Sequence, residues 1–396
     1  MGLSLDALAV LDAIERRGSF AAAALELDRV PSAITYTVRR LEDELDVLLF
    51  DRRGHRARFT PAGRTLLDEG RRLLDAAGEI EQRVHRVATG WETQLRIAVD
   101  TLEHHRKIRA SGFGGRVVTA YRPDPVADPE FEGFAGNVAQ FGALTGENTA
   151  TWGGYLAAHR NRRAYFKSMG ATSTDHGHPT AQTSDLSAAE CQRLLDRGLA
   201  GTITAVEAEA FRGQVLTEMA SMSLHDGLVM QIHPGSLRNH NPQVFARFGR
   251  DKGADIPART DYVRALRPLL DKYGNEPGLT VILFTLDESV YARELAPLAG
   301  HYPVLKLGPP WWFHDSPEGM LRFREQATET AGFYNTVGFN DDTRAFMSIP
   351  ARHDVARRMD CRFLATLVVE HKIGEDEAFE LAPGLAHDFA KAAYKL

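Results

Sequence analysis

The sequence has 396 residues, 43% of them hydrophobic and 25% charged, with a formal net charge of −6. At roughly 100–200 residues per domain this is chain enough for two or three units, and its ordinary composition excludes collagen-like, low-complexity and disordered classes. No apolar run approaches the ~20 residues of a membrane span, and residues 1–6 lack the basic start and apolar stretch of a secretory leader. Cys191 and Cys361 lie too far apart in sequence for a zinc motif and read as reduced thiols of a cytoplasmic protein. Net acidity excludes a uniformly basic nucleic-acid binder but leaves local patches open.

In chain order, Leu5, Leu8, Leu11 and Ile14 predict a first helix that closes near Gly18. Ser19 is placed to cap a second helix over residues 21–27, and Pro31 to open a third. On the third helix Ile34, Val38, Leu41 and Leu45 make one buried stripe, while Ser32, Thr35, Tyr36, Arg39 and Arg40 lie off it. Hydroxyls and guanidinium groups on the free face of such a helix suit base edges and phosphates. Residues 51–59 then place Arg52, Arg53, Arg56 and Arg58 around Gly54, a hairpin-like stretch suited to flanking phosphates. Thr60-Pro61 starts a long helix whose Leu73, Leu74, Ala77, Ile80, Val84 and Val87 suit pairing with a second copy. A small helical domain with a merely solvated Arg face is the alternative reading of the same residues.

Beyond residue 100 the chain changes character. No lysine precedes Lys107, and most Gly, Pro, His and aromatic residues follow it. Apolar runs at 116–121, 228–232, 279–286, 304–307 and 336–339 alternate with helical stretches, which predicts parallel βα units. Polar groups gather where strands end: Arg122 and Asp124, Asp175-His176-Gly177-His178, His233, Trp311-Trp312-Phe313-His314-Asp315, and Asp341-Asp342-Thr343-Arg344. In a βα barrel that is where an active site is built, although any single group there can simply cap the next helix. Asp342 and Arg344 share one face of an extended segment. The carboxylate can bind a divalent metal or move a proton, and the guanidinium can hold a substrate carboxylate, or the two can pair with each other. Arg122 is a second clamp or else the partner of Asp124. His176 and His178 at i and i+2 invite a metal reading, but zinc usually takes three or four protein ligands. His225, His233 and His353 read as hydrogen-bonded structural residues rather than ligands.

Two resemblances extend these readings. Gly18-Ser19-Phe20-Ala21-Ala22-Ala23-Ala24, Pro31-Ser32-Ala33-Ile34-Thr35, Arg40-Leu41-Glu42-Asp43-Glu44-Leu45 and Phe59-Thr60-Pro61-Ala62-Gly63 together resemble the winged helix of LysR-type transcriptional regulators. This implies a DNA-binding domain with linker helix over 1–90, using Ser32, Thr35, Tyr36, Arg39, Arg53 and Arg56, and a homodimer through that helix. Residues 91–100 resemble the start of that family's effector domain. From residue 101 to 396 the chain resembles uronate isomerases of the amidohydrolase superfamily, notably in Gly308-Pro309-Pro310-Trp311-Trp312-Phe313-His314-Asp315 and Gly338-Phe339-Asn340-Asp341-Asp342-Thr343-Arg344. The resemblance implies an α/β fold, part of a (β/α)8 TIM-type barrel, and conversion of a hexuronate such as glucuronate or galacturonate to its keto form. It implies Asp342 as metal ligand and proton-handling carboxylate, Arg344 as a catalytic partner, and Arg122, His233 and Trp312 as substrate-binding residues. A divalent metal, Zn²⁺ or similar, is expected. The resemblance begins at what looks like the third barrel strand, whereas the family's paired metal histidines belong to its first; His176 and His178 are not that pair. An incomplete barrel without the first-strand His-x-His predicts impaired catalysis. The alternatives are a DNA-binding regulator carrying a non-catalytic barrel remnant, or a chimera with no selected function as a unit.

Overall fold

The computed structural model describes residues 4–51, 58–88, 101–112, 117–249, 252, 255–310, 314–340 and 346–396; for 75, 76, 78–88 and 346 it describes the backbone alone. The chain divides into two compact units, Met1–Leu95 and Arg96–Leu396.

In the first unit Ser4 caps α1 (Leu5–Arg17), whose chain turns off at Gly18 with φ 73°. Ser19 caps α2 (Phe20–Glu26), and Pro31 opens α3 (Pro31–Leu45). Each boundary is set by a residue that satisfies or forgoes a terminal N–H within its own turn, which is why the sequence announces it. Ile34, Val38 and Leu41 are buried against Val10, Leu11, Ile14, Ala23 and Ala24. Leu45 is not the fourth member of that stripe: it is 43% exposed, in the last turn before Asp46 takes a left-handed φ of 51°. The carboxylate of Glu42, on the same helix, accepts bonds from the amides of Leu49 (2.8 Å) and Phe50 (3.1 Å). This fixes the start of an antiparallel ribbon, β1 (Phe50–Asp51) on β2 (Arg58–Phe59). Thr60 then caps α4 (Pro61–Ala88), 28 residues long, through the amide of Gly63. The expected pairing positions Leu74 and Ala77 are half-buried and Leu73 is exposed; the side chains of Ile80, Val84 and Val87 lie outside the described residues.

The second unit is α/β. After α5 (Glu103–Ala110) come β3 (Ala120–Tyr121), α6 (Asp124–Ala127), α7 (Phe134–Thr145), α8 (Trp152–Ser168), β4 (Ser173–His176), α9 (Ala188–Leu199), α10 (Ala205–Asp226) and β5 (Val229–Ile232). A small antiparallel pair follows, β6 (Ser236–Leu237) with β7 (Ile256–Pro257), flanking α11 (Pro242–Phe248). Then come α12 (Arg267–Tyr273), β8 (Val281–Leu283), α13 (Ala296–His301), β9 (Leu305–Leu307), α14 (Pro317–Ala331), α15 (Ile349–Val369), α16 (Glu375–Pro383) and α17 (Phe389–Ala393).

Strands β3-β4-β5-β8-β9 form one parallel sheet in that order, and Leu307 bridges onward to Thr336. The alternation of apolar runs with helical stretches is therefore the alternation of strands and crossover helices, although the strands are shorter than the runs. Val229, Val281, Ile282, Leu283, Leu305 and Leu307 are fully or almost fully buried, as expected for strands covered on both faces. The β6/β7 ribbon has no counterpart in the sequence reading, because two-residue strands carry too little periodicity to be seen. Among the described residues β3 pairs on one side only.

Candidate active site

Parallel register places the strand ends side by side. Tyr121 pairs with Thr174, and Asp175 and His176 pair with Gln231 and Ile232. Arg122, Asp175 and His233 consequently meet at the C-terminal end of the sheet. Asp175 lies between the other two, with Oδ1 2.9 Å from His233 Nε2 and Oδ2 3.3 Å from the Arg122 guanidinium. Arg122 also donates through Nε to Asp124 Oδ2 at 2.7 Å. Of the two open readings of Arg122, the pairing with Asp124 is observed. Burial works against ionisation of Asp175, but His233 and Arg122 outweigh it and hold the carboxyl below its ordinary pKa. A Cβ on Gly177 would lie 2.4 Å from the Arg122 guanidinium and 2.8 Å from both Asp124 and His233, so this position accommodates glycine alone without displacing the cluster.

A second constellation adjoins the first. Asp124 opens α6 immediately beyond β3, His176 ends β4, and His178 follows two residues later. One potential ligand atom from each lies within 4.8 Å of the others. Thr174 Oγ1 is 3.1 Å from His176 Nε2 and orients that ring. Burial pushes the His176 pKa down to about 3 and lowers that of His178, so both imidazoles are neutral near pH 7. Burial opposes ionisation of Asp124, but Arg122, His178 and His233 prevail and keep it well below the carboxylate range. Two neutral imidazoles and a carboxylate can hold a divalent cation.

Farther along the sheet, an open cleft of about 680 Å³ is lined by residues following β7 and β8, among them Arg259, Asp287 and Glu288, with His314 and Arg322. Arg322 is paired with Glu288 at 2.5 Å, and Arg352 with Asp315. Of the predicted site residues, Arg122 and His233 are brought together. Asp342, Arg344 and Trp312 lie outside the described residues. His225 accepts the structural reading, its Nδ1 2.8 Å from the Ser221 carbonyl, and His353 packs edge-on against Phe339. On α3, Ser32, Tyr36 and Arg39 are exposed, Thr35 is half-buried with its hydroxyl donating to the Pro31 carbonyl, and Arg40 is paired with Glu44. Arg53 and Arg56 lie outside the described residues. Sequence reasoning missed the bridging role of Asp175 and the convergence of Asp124 on the two histidines. The available signal was a run of Asp-His-Gly-His directly after an apolar strand.

Comparison with known proteins gives two family matches along the chain. The family model described as "Glucuronate isomerase" matches residues 84–393, and that described as "Bacterial regulatory helix-turn-helix protein, lysR family" matches residues 5–64. The uronate isomerase of Phenylobacterium zucineum is 70% identical over 297 residues, covering 75% of this chain and 62% of that protein. That of Xanthomonas axonopodis pv. citri is 70% identical over 298 residues, covering 75% and 63%. The crystal structure of glucuronate isomerase from Caulobacter crescentus superposes with a TM-score of 0.73 at 62% identity, covering 75% of this chain and 62% of that one. The uronate isomerase structure from Thermotoga maritima gives 0.71 at 27% identity, covering 75% and 66%. The chain thus spans about three-fifths of the length of the curated relatives it matches. With a match that takes in most of its residues, the chain belongs to the glucuronate isomerase family, joined to an N-terminal LysR-type helix-turn-helix.

Proposed function

We propose that the C-terminal portion isomerises a hexuronate between aldose and ketose forms while the N-terminal unit binds DNA. The observation that supports the first part is 70% identity with a uronate isomerase over 297 residues, a segment that includes the Arg122–Asp175–His233 contacts. In this reading residues 1–90 are the DNA-binding domain with linker helix, 91–100 a junction, and 101–396 the isomerase portion of an incomplete (β/α)8 barrel.

Glucuronate or galacturonate is the substrate class. Arg344 and Arg122 hold its carboxylate and oxygens, and His233 and Trp312 line the pocket. Asp175, with Oδ1 2.9 Å from Nε2, positions the His233 ring. Asp342 carries the proton between C2 and C1 through a cis-enediol. A divalent ion of the zinc class, with Asp342 as a ligand, polarises the sugar oxygens when bound. Two reduced thiols and a DNA-binding unit fit a cytoplasmic setting, and no described helix is long and apolar enough to cross a membrane.

The test is incubation of the purified full chain with glucuronate and Zn²⁺ or Mn²⁺, following the keto product by NMR. Turnover above the protein-free blank, slower than that of full-length relatives and lost in Asp342→Asn, is the expected result. No product with either metal removes the catalytic reading. A second reading, a DNA-binding regulator with a non-catalytic barrel, is favoured by the exposed face of α3. It expects a homodimer through α4 and a salt-dependent gel shift that weakens in Arg39→Ala and Arg53→Ala.

A further inference from the structure

We propose that Asp124, His176 and His178 form a site for a divalent transition-metal ion of the zinc class. The three residues come from neighbouring strand ends, and one ligand atom of each lies within 4.8 Å of the others. Zinc ligands sit about 2.0–2.2 Å from the ion in tetrahedral array, so paired ligand atoms lie about 3.3–3.6 Å apart, and side-chain rotations that bring the atoms about 1.2–1.5 Å closer together close the set.

The independent observation is the state of the ring nitrogens. His176 is fully buried and His178 is 3% exposed, yet His176 Nδ1 and both nitrogens of His178 have no hydrogen-bond partner among the described residues. Buried polar atoms are almost always paired, and a cation supplies the missing partner for His176 Nδ1 and for one nitrogen of His178. The surrounding contacts are those a ligand set needs. Thr174 engages His176 at Nε2 and leaves Nδ1 available as the ligand atom. The Gly177 amide and Arg122 hold Asp124, the amide mainly at Oδ1 (3.1 Å) and Arg122 at Oδ2 (2.7 Å). Such second contacts fix ring and carboxylate orientation in metal sites. Two imidazoles and one carboxylate favour zinc, cobalt or nickel over magnesium or calcium, which prefer all-oxygen shells. Three protein ligands leave a coordination position open. The positive charge of Arg122 lowers affinity relative to a site without it.

The site stands apart from the isomerase reading, so its test does not use turnover. Metal-stripped full chain is titrated with Co²⁺, following visible d–d absorption, and then with Zn²⁺ as competitor. The expected result is a visible Co²⁺ spectrum whose affinity falls about 100-fold or more in His178→Gln, beyond what loss of a second contact causes. Unchanged affinity in His178→Gln overturns the proposal. Circular dichroism of the stripped variants reports folding. Should His178→Gln fail to fold, anomalous diffraction at the zinc edge from wild-type crystals decides. A peak between the two imidazoles and Asp124 supports the site, and a peak elsewhere or none overturns it.

Discussion

Asp360→Asn is expected to destabilise the second unit strongly, because it strips the counter-charge from a buried guanidinium. Arg324 on α14 is 3% exposed and Asp360 on α15 is 7% exposed. Nε of Arg324 donates to Oδ1 at 2.6 Å and its terminal nitrogen to Oδ2 at 3.2 Å, a two-pronged pair. A third donor reaches Thr336 Oγ1 at 3.3 Å, beside the bridge that extends the sheet beyond β9. The pair therefore ties α14, α15 and the last strand position together. Breaking a buried pair from one side costs about 3–5 kcal/mol. For a unit of about 300 residues, with an unfolding entropy near 2.1 cal/mol/K per residue, that lowers the thermal midpoint by roughly 5–8 °C. Differential scanning calorimetry of the full chain reads this directly. Thr336→Val, which removes the bond from the guanidinium and the hydroxyl's own bond to the Phe333 carbonyl but strands no charge, costs about 2–3 kcal/mol and shifts the same transition by a smaller amount, roughly 3–5 °C. The double change Arg324→Met with Asp360→Leu recovers most of the loss, since an apolar pair carries no stranded charge. A shift of less than about 2 °C in Asp360→Asn would refute the reasoning, showing that water reaches the guanidinium and replaces the carboxylate.

Three further outcomes are expected. His159 is fully buried, receives the Tyr121 hydroxyl at Nδ1 (2.7 Å), and has its pKa driven far below 6.5 by burial and then by Arg163. The unfolded chain therefore takes up the proton first, so stability is complete above pH 6.5 and is lost as pH falls below it, by up to about 1.4 kcal/mol per unit. Urea midpoints between pH 7.5 and 5 measure that slope, and His159→Gln should reduce it by about 1.4 kcal/mol per pH unit at most, the buried His176 and His178 keeping the rest. Glu42→Ala frees the two amides at the start of β1 at a cost of about 2–4 kcal/mol to the first unit. Hydrogen exchange at the Leu49 and Phe50 amides should accelerate with it, and unchanged exchange there would dispose of the anchoring role. Asp175→Asn releases His233 and Arg122, so the turnover proposed above should fall about 100-fold. Its circular dichroism should match wild type, and activity within about 3-fold of wild type would mean that Asp175 positions neither group.

How much of this could be read before the chain was folded depends on the range of the interaction concerned. Ser4, Gly18, Ser19 and Pro31 bound their helices through contacts within a turn, and those boundaries were evident in the residues themselves. The apolar runs ending in Tyr121, Ile232 and Leu307 became strands because a segment buried on both faces needs little beyond its own composition. Family membership was legible for the same reason, since it resides in consecutive residues such as 308–315.

The exposure of Leu45 was not legible, because burial of a last-turn residue depends on which neighbour covers it. Of the partners of Arg122 only Asp124, two residues away, could be read; Asp175 arrives through the register of β3 on β4. Likewise Asp124 and His176 are far apart in sequence, and each is ordinary alone; only adjacent parallel strands bring them within ligand distance. The sequence by itself determined the two-part composition of this protein, its helix limits and its family, all properties of local chain chemistry. Tertiary structure decided which charges were buried together and which nitrogens were left facing one another, because burial and long-range register do not exist until the sheet is assembled.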